Sequence, residues 1–148
     1  MKILTLALMV VASVAIAAEQ TAFGIAGDPS KVTRTIAIDM SDDMRYAPAT
    51  VDVKLGETVR FVVANKGATM HELVLGKPKA FEQHAQSMSK APVGMAHHDH
   101  QMPSMVHVHP GGSGEIVWRF NRAGTFAYAC LIPGHYEAGM KGTVNVAK

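Results

Sequence analysis

The sequence predicts an all-β fold, an antiparallel β-sandwich of about seven short strands. Apolar and polar residues alternate in short runs, as in Thr33–Met40 and Thr50–Val53. A period of two is typical of a strand with one buried face. Turn-forming residues separate these runs at fairly even spacing, which indicates a sandwich rather than a fold of alternating strands and helices.

The predicted strands follow one another with one long interruption. Residues 41–48 and Leu55-Gly56-Glu57 are predicted as turns, and Lys79–Ser89 has a helix-compatible composition. Residues 95–110 are dense in His, Met and Pro and show no regular period. We therefore expect residues 77–113 to be an insertion between the fourth and fifth strands. The predicted strands cover residues 33–40, 50–53, 59–65, 70–75, 115–120, 125–130 and 143–146.

The N-terminus predicts export. Lys2 precedes an apolar run from Ile3 to Ala15, and Ala15-Ile16-Ala17 has the small-x-small pattern of a cleavage site. The run is shorter than the roughly 20 apolar residues that span a bilayer. We predict a cleaved signal peptide at 1–18, a flexible lead at 19–32 and one domain at 33–148. An uncleaved membrane anchor is the alternative.

Composition limits the classes of partner. The chain has 148 residues, 18% charged and 48% apolar, with a formal net charge of +2. Such a length suits one domain, and so small a charge does not favour nucleic acid or an anionic membrane surface. We expect a periplasmic protein with no stable membrane insertion.

The single cysteine, Cys130, cannot form a disulfide within its own chain. In an exported protein it is therefore an intermolecular bridge, an inert buried thiol or a metal ligand. Its surroundings favour the metal. His135 follows it by five residues, and Met140 follows His135 by five more. Thiolate and thioether are soft donors that favour Cu(I), and imidazole suits copper in both oxidation states.

A trigonal His₂Cys set with a weak axial Met is the blue-copper arrangement, and it requires a second histidine. His71 is predicted to supply it, because it opens a strand whose end can lie beside the Cys130 loop. His84, His107 and His109 are alternatives. Zinc is disfavoured, because zinc sites rarely employ Met. A surface role for His71 and simple core packing of Met140 remain the competing interpretations.

These residues resemble the cupredoxin, or type 1 blue-copper, family. The resemblance rests on Met70-His71-Glu72-Leu73-Val74, Tyr128-Ala129-Cys130, Pro133-Gly134-His135, Met140-Lys141-Gly142 and the strand Thr143–Val146. The Cys-x₄-His-x₄-Met spacing is similar to that of rusticyanin and auracyanin. The resemblance implies a Greek-key sandwich with one copper, Cu(II) or Cu(I), at the type 1 site.

Two positions depart from the usual cupredoxin pattern. Many members have Asn directly after the first His and Thr or Ser after the Cys, whereas this chain has Glu72 and Leu131. The hydrogen bond that ties the strand to the Cys loop is therefore expected to be lost or replaced. The His-Glu pair resembles the periplasmic copper-tolerance cupredoxins of the CopI type.

Residues 88–109, here called the His/Met segment, predict a second copper-capture site. Short His-rich tracts are typical of metal binding, and thioethers favour copper over hard cations. A solvated loop without metal and a docking surface for a partner are the alternatives. The candidate ligands are Met88, Met95, His97, His98, His100, Met102, Met105, His107 and His109.

Two functions are consistent with these features. One is periplasmic copper tolerance and homeostasis, in which copper ions bind the cupredoxin site and the His/Met segment. The other is electron transfer between redox partners. Because an electron carrier needs no such segment, the segment favours copper tolerance. A periplasmic redox or copper-trafficking protein is the candidate partner. We expect no enzymatic activity, and oxidation of Cu(I) is the alternative.

Overall fold

The computed structural model of the chain describes residues 18–88 and 102–148. Nearly all of the predicted signal peptide, residues 1–17, lies outside this range. The described residues form ten strands, one helix and a short 3₁₀ turn at Pro29–Lys31. The helix is α1 (Pro78–Met88), and the strands are β1 (Ile25–Ala26), β2 (Arg34–Ser41), β3 (Arg45–Ala47), β4 (Thr50–Lys54), β5 (Thr58–Asn65), β6 (His71–Gly76), β7 (Met105–Val108), β8 (Ser113–Arg119), β9 (Gly124–Ala129) and β10 (Lys141–Ala147).

The strands form two five-stranded sheets, and this confirms the predicted all-β sandwich. The order is β1-β8-β5-β2-β3 in the first sheet and β4-β10-β9-β6-β7 in the second. The core lies between the sheets. Ile38 and Phe61 from the first sheet and Leu73 and Val144 from the second are fully buried in one cluster. Alternation along β2, β5 and β10 places Ile38, Phe61 and Val144 inward, as the period of two predicts, whereas β6, which carries Leu73, is buried at every position.

Two strand pairs differ from the antiparallel expectation. β2 pairs with β5, and β4 pairs with β10, in parallel. A parallel pair needs a crossover connection. Between β2 and β5 the chain passes through β4 in the second sheet, so β5 returns to the first sheet in the direction of β2.

Part of the predicted flexible lead is paired. β1 is antiparallel to β8, and the ring of Phe23 stacks on Trp118 with centroids 5.2 Å apart. The indole N–H of Trp118 donates to the carbonyl of Phe23 at 3.1 Å. A two-residue strand is too short to show a period, which is why the sequence did not indicate it.

The predicted insertion contains both regular and undescribed parts. The helix α1 confirms the helix-compatible composition, and Phe81 packs on the outer face of the second sheet with Val74 and Ala129. No strand was predicted for residues 95–110, which show no regular period as a whole, but β7 lies there and pairs antiparallel with β6. Val108 is buried in the core, so β7 completes the edge of that sheet. β3 is likewise a strand within the predicted turn 41–48.

Among the described residues, no helix is both long and apolar enough to cross a membrane.

Candidate metal centre

Cys130 directly follows β9 and is fully buried. Its backbone N–H donates to the carbonyl of Met140 at 3.1 Å, which places the two ends of the 130–140 loop side by side. Burial raises the pKa of the Cys130 thiol to about 11. The free thiol therefore holds its proton at neutral pH, and a metal that binds there displaces it.

The loop between Cys130 and Met140 turns tightly enough to bring His135 back over the thiol. The His135 N–H donates to the carbonyl of Ile132 at 3.0 Å, and the Met140 N–H donates to the carbonyl of His135 at 3.0 Å. Gly134 has a φ of 86°, a conformation that strongly favours glycine. Nδ1 of His135 then lies 3.3 Å from Sγ of Cys130.

His71 reaches the same point from the other side. It is the first residue of β6, and its side chain is fully buried. Its Nδ1 atom lies 3.2 Å from Nδ1 of His135. The two imidazole nitrogens and the Cys130 sulfur all lie within 4.8 Å of one another, so His71, Cys130 and His135 are positioned to form a metal site. This favours His71 over His84, which is exposed on α1.

The half-buried His135 is poised to act as a neutral ligand. Burial, and after it the neighbouring His71, lower the pKa of His135. A neutral imidazole leaves a nitrogen lone pair available, whereas an imidazolium has none. The site therefore presents two imidazoles and a thiol that releases its proton to metal, a donor set that fits copper.

Met140 belongs to the same buried cluster as Cys130 and Tyr128, and its side chain is fully buried. Its backbone contacts both Cys130 and His135 through the hydrogen bonds above. The backbone of Met140 thus lies at the base of the loop and is hydrogen-bonded to two of the three donor residues, Cys130 and His135.

Asp42 is a functional residue that the sequence analysis missed. Its Oδ1 atom lies 2.9 Å from Nε2 of His71. Its carboxylate also accepts hydrogen bonds from the N–H of Ala68 at 2.6 Å and from the hydroxyl of Thr69 at 2.8 Å. These hydrogen bonds hold the pKa of Asp42 well below its usual range. The bond from Ala68 lowers this pKa most, followed by those from Thr69 and His71. Because an ionised carboxylate only accepts, the Nε2–H of His71 donates and Nδ1 is left to face the metal site.

Glu72 makes a hydrogen bond between β6 and the Cys130 loop, so the bond that was expected to be lost or replaced is replaced. Its Oε1 atom accepts from the backbone N–H of Leu131 at 2.7 Å, so a carboxylate joins β6 to the residue after Cys130. Its backbone carbonyl accepts from the hydroxyl of Tyr46 at 2.6 Å. The identity of the Leu131 side chain is unimportant for this bond, because the backbone makes it.

The predicted capture ligands are only partly described. Met95, His97, His98 and His100 lie outside the described residues, as does the side chain of Met88. Met102 is exposed, and His109 is exposed just after β7. Met105 and His107 lie on β7 itself, and Nε2 of His107 is 2.6 Å from Oε2 of Glu72.

Comparison with known proteins agrees with this geometry. Residues 32–147 match the family described as copper binding proteins, plastocyanin/azurin family. The chain is 53% identical over 126 residues to the copper-resistant cuproprotein CopI of Rubrivivax gelatinosus, covering 85% of this chain and 74% of that one. It is 35% identical over 150 aligned positions to the protein of the same name in Pseudomonas aeruginosa, covering 84% and 82%.

Solved structures show the same fold. The reduced auracyanin of Roseiflexus castenholzii superposes with a TM-score of 0.65 at 25% identity, covering 79% of this chain and 99% of that one. Auracyanin B superposes with a TM-score of 0.62 at 24% identity, covering 88% and 99%. The chain belongs to the plastocyanin/azurin family of copper-binding proteins, the cupredoxins.

Proposed function

We propose that the chain would hold one copper ion between His71, Cys130 and His135, with Met140 as a fourth ligand, and that this redox-active type 1 site serves copper tolerance in the periplasm. The observation that carries the proposal is the convergence of two imidazole nitrogens on one buried thiol. When bound, copper supplies one-electron redox chemistry.

The protein residues contribute three things to that chemistry. Cys130 gives up its proton to become the thiolate ligand. Asp42 keeps the proton of His71 on Nε2, away from the metal. The tight 130–140 loop fixes the donor positions before metal arrives, which limits the rearrangement between oxidation states.

A copper titration of the whole protein, followed by visible absorption and EPR, tests the site. The first equivalent is expected to produce a thiolate-to-copper charge-transfer band. Cys130→Ser is expected to abolish it, while Ser87→Ala, on the exposed surface of α1, leaves it unchanged. A Cys130→Ser protein with the wild-type band would contradict the ligand assignment.

The role in copper tolerance is supported by two observations. The relatives described above carry the name copper-resistant cuproprotein. The His/Met segment also gathers nine candidate ligands, among them five of the eight histidines in the chain. Capture of further copper by this segment is the part of the proposal that distinguishes the protein from a simple electron carrier.

Substitution of the segment tests capture. Removal of residues 95–109 would also remove β7, so we favour replacing Met95 with Leu and His97, His98 and His100 with Gln. The variant is expected to keep the charge-transfer band and bind fewer equivalents of Cu(I). Ala substitutions at Ser89, Lys90 and Gln101 provide a control of similar size. Equal stoichiometry in both variants would exclude capture by these residues.

Export is part of the proposal and rests on residues 1–18. Cell fractionation of the tagged full chain, with N-terminal sequencing, is expected to find the protein in the periplasm without this segment. A cytoplasmic, full-length product would contradict export, and a membrane-bound, full-length product would favour the uncleaved anchor.

Electron transfer to a periplasmic partner is the second candidate function. The half-buried position of His135 favours it, because a partly exposed ligand ring offers a short path from the metal to a docked protein. Wild-type copper binding limited to one equivalent, with no tolerance defect on loss of the gene, would favour this role. We propose no enzymatic turnover; oxygen consumption with excess Cu(I) tests Cu(I) oxidation.

A further inference from the structure

The carboxylate of Glu72 joins two parts of the fold that are far apart in sequence. Its side chain is 7% exposed. One oxygen accepts from the N–H of Leu131 at 2.7 Å, and the other lies 2.6 Å from Nε2 of His107. A buried carboxylate is costly unless its oxygens are hydrogen-bonded, so each of these contacts helps to keep Glu72 in place.

Both residues of the hydrogen bond between Glu72 and Leu131 are next in sequence to residues of the metal site. Leu131 follows Cys130, and Glu72 follows His71. The hydrogen bond between Glu72 and Leu131 therefore sets the distance between the strand that carries one donor and the loop that carries another. The orientation of the Glu72 carboxylate decides whether it can accept this bond from the residue that follows Cys130.

His107 fixes that orientation. It lies directly opposite Glu72 in the antiparallel pairing of β6 and β7. The ring N–H of His107 donates to the carboxylate, because an ionised carboxylate can only accept. The His107 side chain is 34% exposed, so the chain of contacts runs from the surface of the His/Met segment to the buried thiol.

We infer that His107 is a positioning residue for the copper site, acting through Glu72 on the Cys130 loop. The inference rests on the proposed copper site. It assigns to one histidine of the His/Met segment a role other than capture: this histidine couples the edge strand β7 to the ligand geometry.

The length of the glutamate side chain suits this role. An Asn at position 72 has one methylene fewer. It would keep an acceptor for the Leu131 N–H but lose the reach to His107 on the neighbouring strand. Glu72 can therefore contact both Leu131 and His107, whereas a shorter side chain at this position could contact only Leu131.

Spectroscopy of the copper-loaded protein tests the inference. His107→Leu removes the donor, and we expect a shift of the thiolate-to-copper band, altered EPR hyperfine splitting and a changed reduction potential. His107→Gln retains an N–H donor and is expected to restore most of the wild-type spectrum. His84→Leu, at an exposed histidine on α1, is the matched control and is expected to cause no shift.

A double-mutant cycle tests the route through Glu72. In a Glu72→Asn background, His107→Leu is expected to cause no further shift, because the contact is already absent. A wild-type spectrum in folded His107→Leu would overturn the inference, and so would an equal shift in both backgrounds. If His107→Leu does not fold, Glu72→Asn alone decides, and an unshifted spectrum overturns the inference. Absence of the band from the wild-type protein would instead reject the proposed copper site.

Discussion

The carboxylate of Asp42 determines which nitrogen of His71 is available to a metal. Its contact with Nε2 at 2.9 Å leaves Nδ1 facing His135 and Cys130. Carboxylate partners of this kind orient ligand histidines in many metal sites and raise their basicity. Asp42 also accepts hydrogen bonds from the residues just before β6, so it fixes the backbone that carries His71.

Asp42→Ala is therefore expected to weaken copper binding by about 10–100-fold, the usual effect of losing such a partner. Asp42→Asn keeps an acceptor oxygen for His71 and is expected to retain more of the affinity. Asp43→Ala, at the neighbouring exposed carboxylate, is the control. Competition with a Cu(I) chelator measures all three. Equal affinities for Asp42→Ala and Asp43→Ala would show that the Asp42 contact does not support the ligand.

The raised pKa of Cys130 predicts that the copper-free protein loses folding stability at alkaline pH. Burial raises this pKa from an ordinary value of 9.0 to about 11, so the folded state holds the proton more tightly than the unfolded state. The resulting stability is complete below pH about 9 and is lost as the pH rises towards 11. A difference of two pKa units corresponds to roughly 3 kcal/mol.

Urea unfolding of the copper-free protein between pH 8 and pH 11 measures this loss, with about 1–3 kcal/mol per M urea as the expected slope. Cys130→Ser has no thiol to ionise and is expected to lose less stability across the same range. All other ionisable groups are common to both proteins, so the difference between the two curves isolates Cys130. Parallel curves would mean that the thiol is not buried in solution.

Two donors of the metal site, Cys130 and His135, were predictable from the sequence because they lie in one loop at regular spacing with Met140, which stays a predicted ligand. Cys130, His135 and Met140 can be recognised without knowledge of the fold. Asp42 could not be recognised in this way, since it lies 29 positions before His71 and no spacing rule joins them. Glu72 was noticed as a departure, but its contact with His107 depends on β7, which the composition of the His/Met segment concealed.

At the scale of secondary structure, length decided which elements the sequence revealed. The longer strands, such as β2 and β5, show several alternations, and all seven predicted strands are present. β1 and β3 have two and three residues and cannot show a period. In β7, Val106 and Val108 do alternate with Met105 and His107, but the surrounding His and Met residues favoured a metal-binding tract.

The helix α1 depends on one aromatic anchor. Phe81 is 5% exposed, contacts the outer face of the second sheet and meets Tyr136 edge-on with ring centroids 6.5 Å apart. Phe81→Ala is expected to cost roughly 3 kcal/mol in the free energy of unfolding, because it leaves a cavity under the helix. Urea unfolding of the copper-free protein measures this cost.

Gln83→Ala is the matched control, since Gln83 is exposed on the same helix. It is expected to change the free energy of unfolding by less than about 0.5 kcal/mol. A Phe81→Ala protein as stable as Gln83→Ala would show that α1 is not held against the sheet in solution. Loss of far-UV helical signal in Phe81→Ala alone would locate the effect in α1.

At the scale of the whole molecule, the metal site joins β6 and the loop between β9 and β10, which are strands of one sheet. Asp42 adds a contact from the turn between β2 and β3 in the other sheet. Copper bound to His71 and Cys130 would therefore connect segments that must separate when the sandwich unfolds. A ligand that binds only the folded state stabilises it by mass action.

Copper is accordingly expected to raise the unfolding temperature of the whole protein, and a chelator to reverse the gain. At a free copper concentration about 100 times the dissociation constant, the stabilisation is about 2.7 kcal/mol. Differential scanning calorimetry at several copper concentrations measures this gain in stability.

Cys130→Ser should show little or no gain, because the site has lost its thiolate. The His/Met segment variant should keep the gain from the first equivalent, because it retains all four proposed ligands of the Cys130 site. A gain of equal size in Cys130→Ser would mean that the stabilising copper binds elsewhere, and the His/Met segment would then be the first place to test.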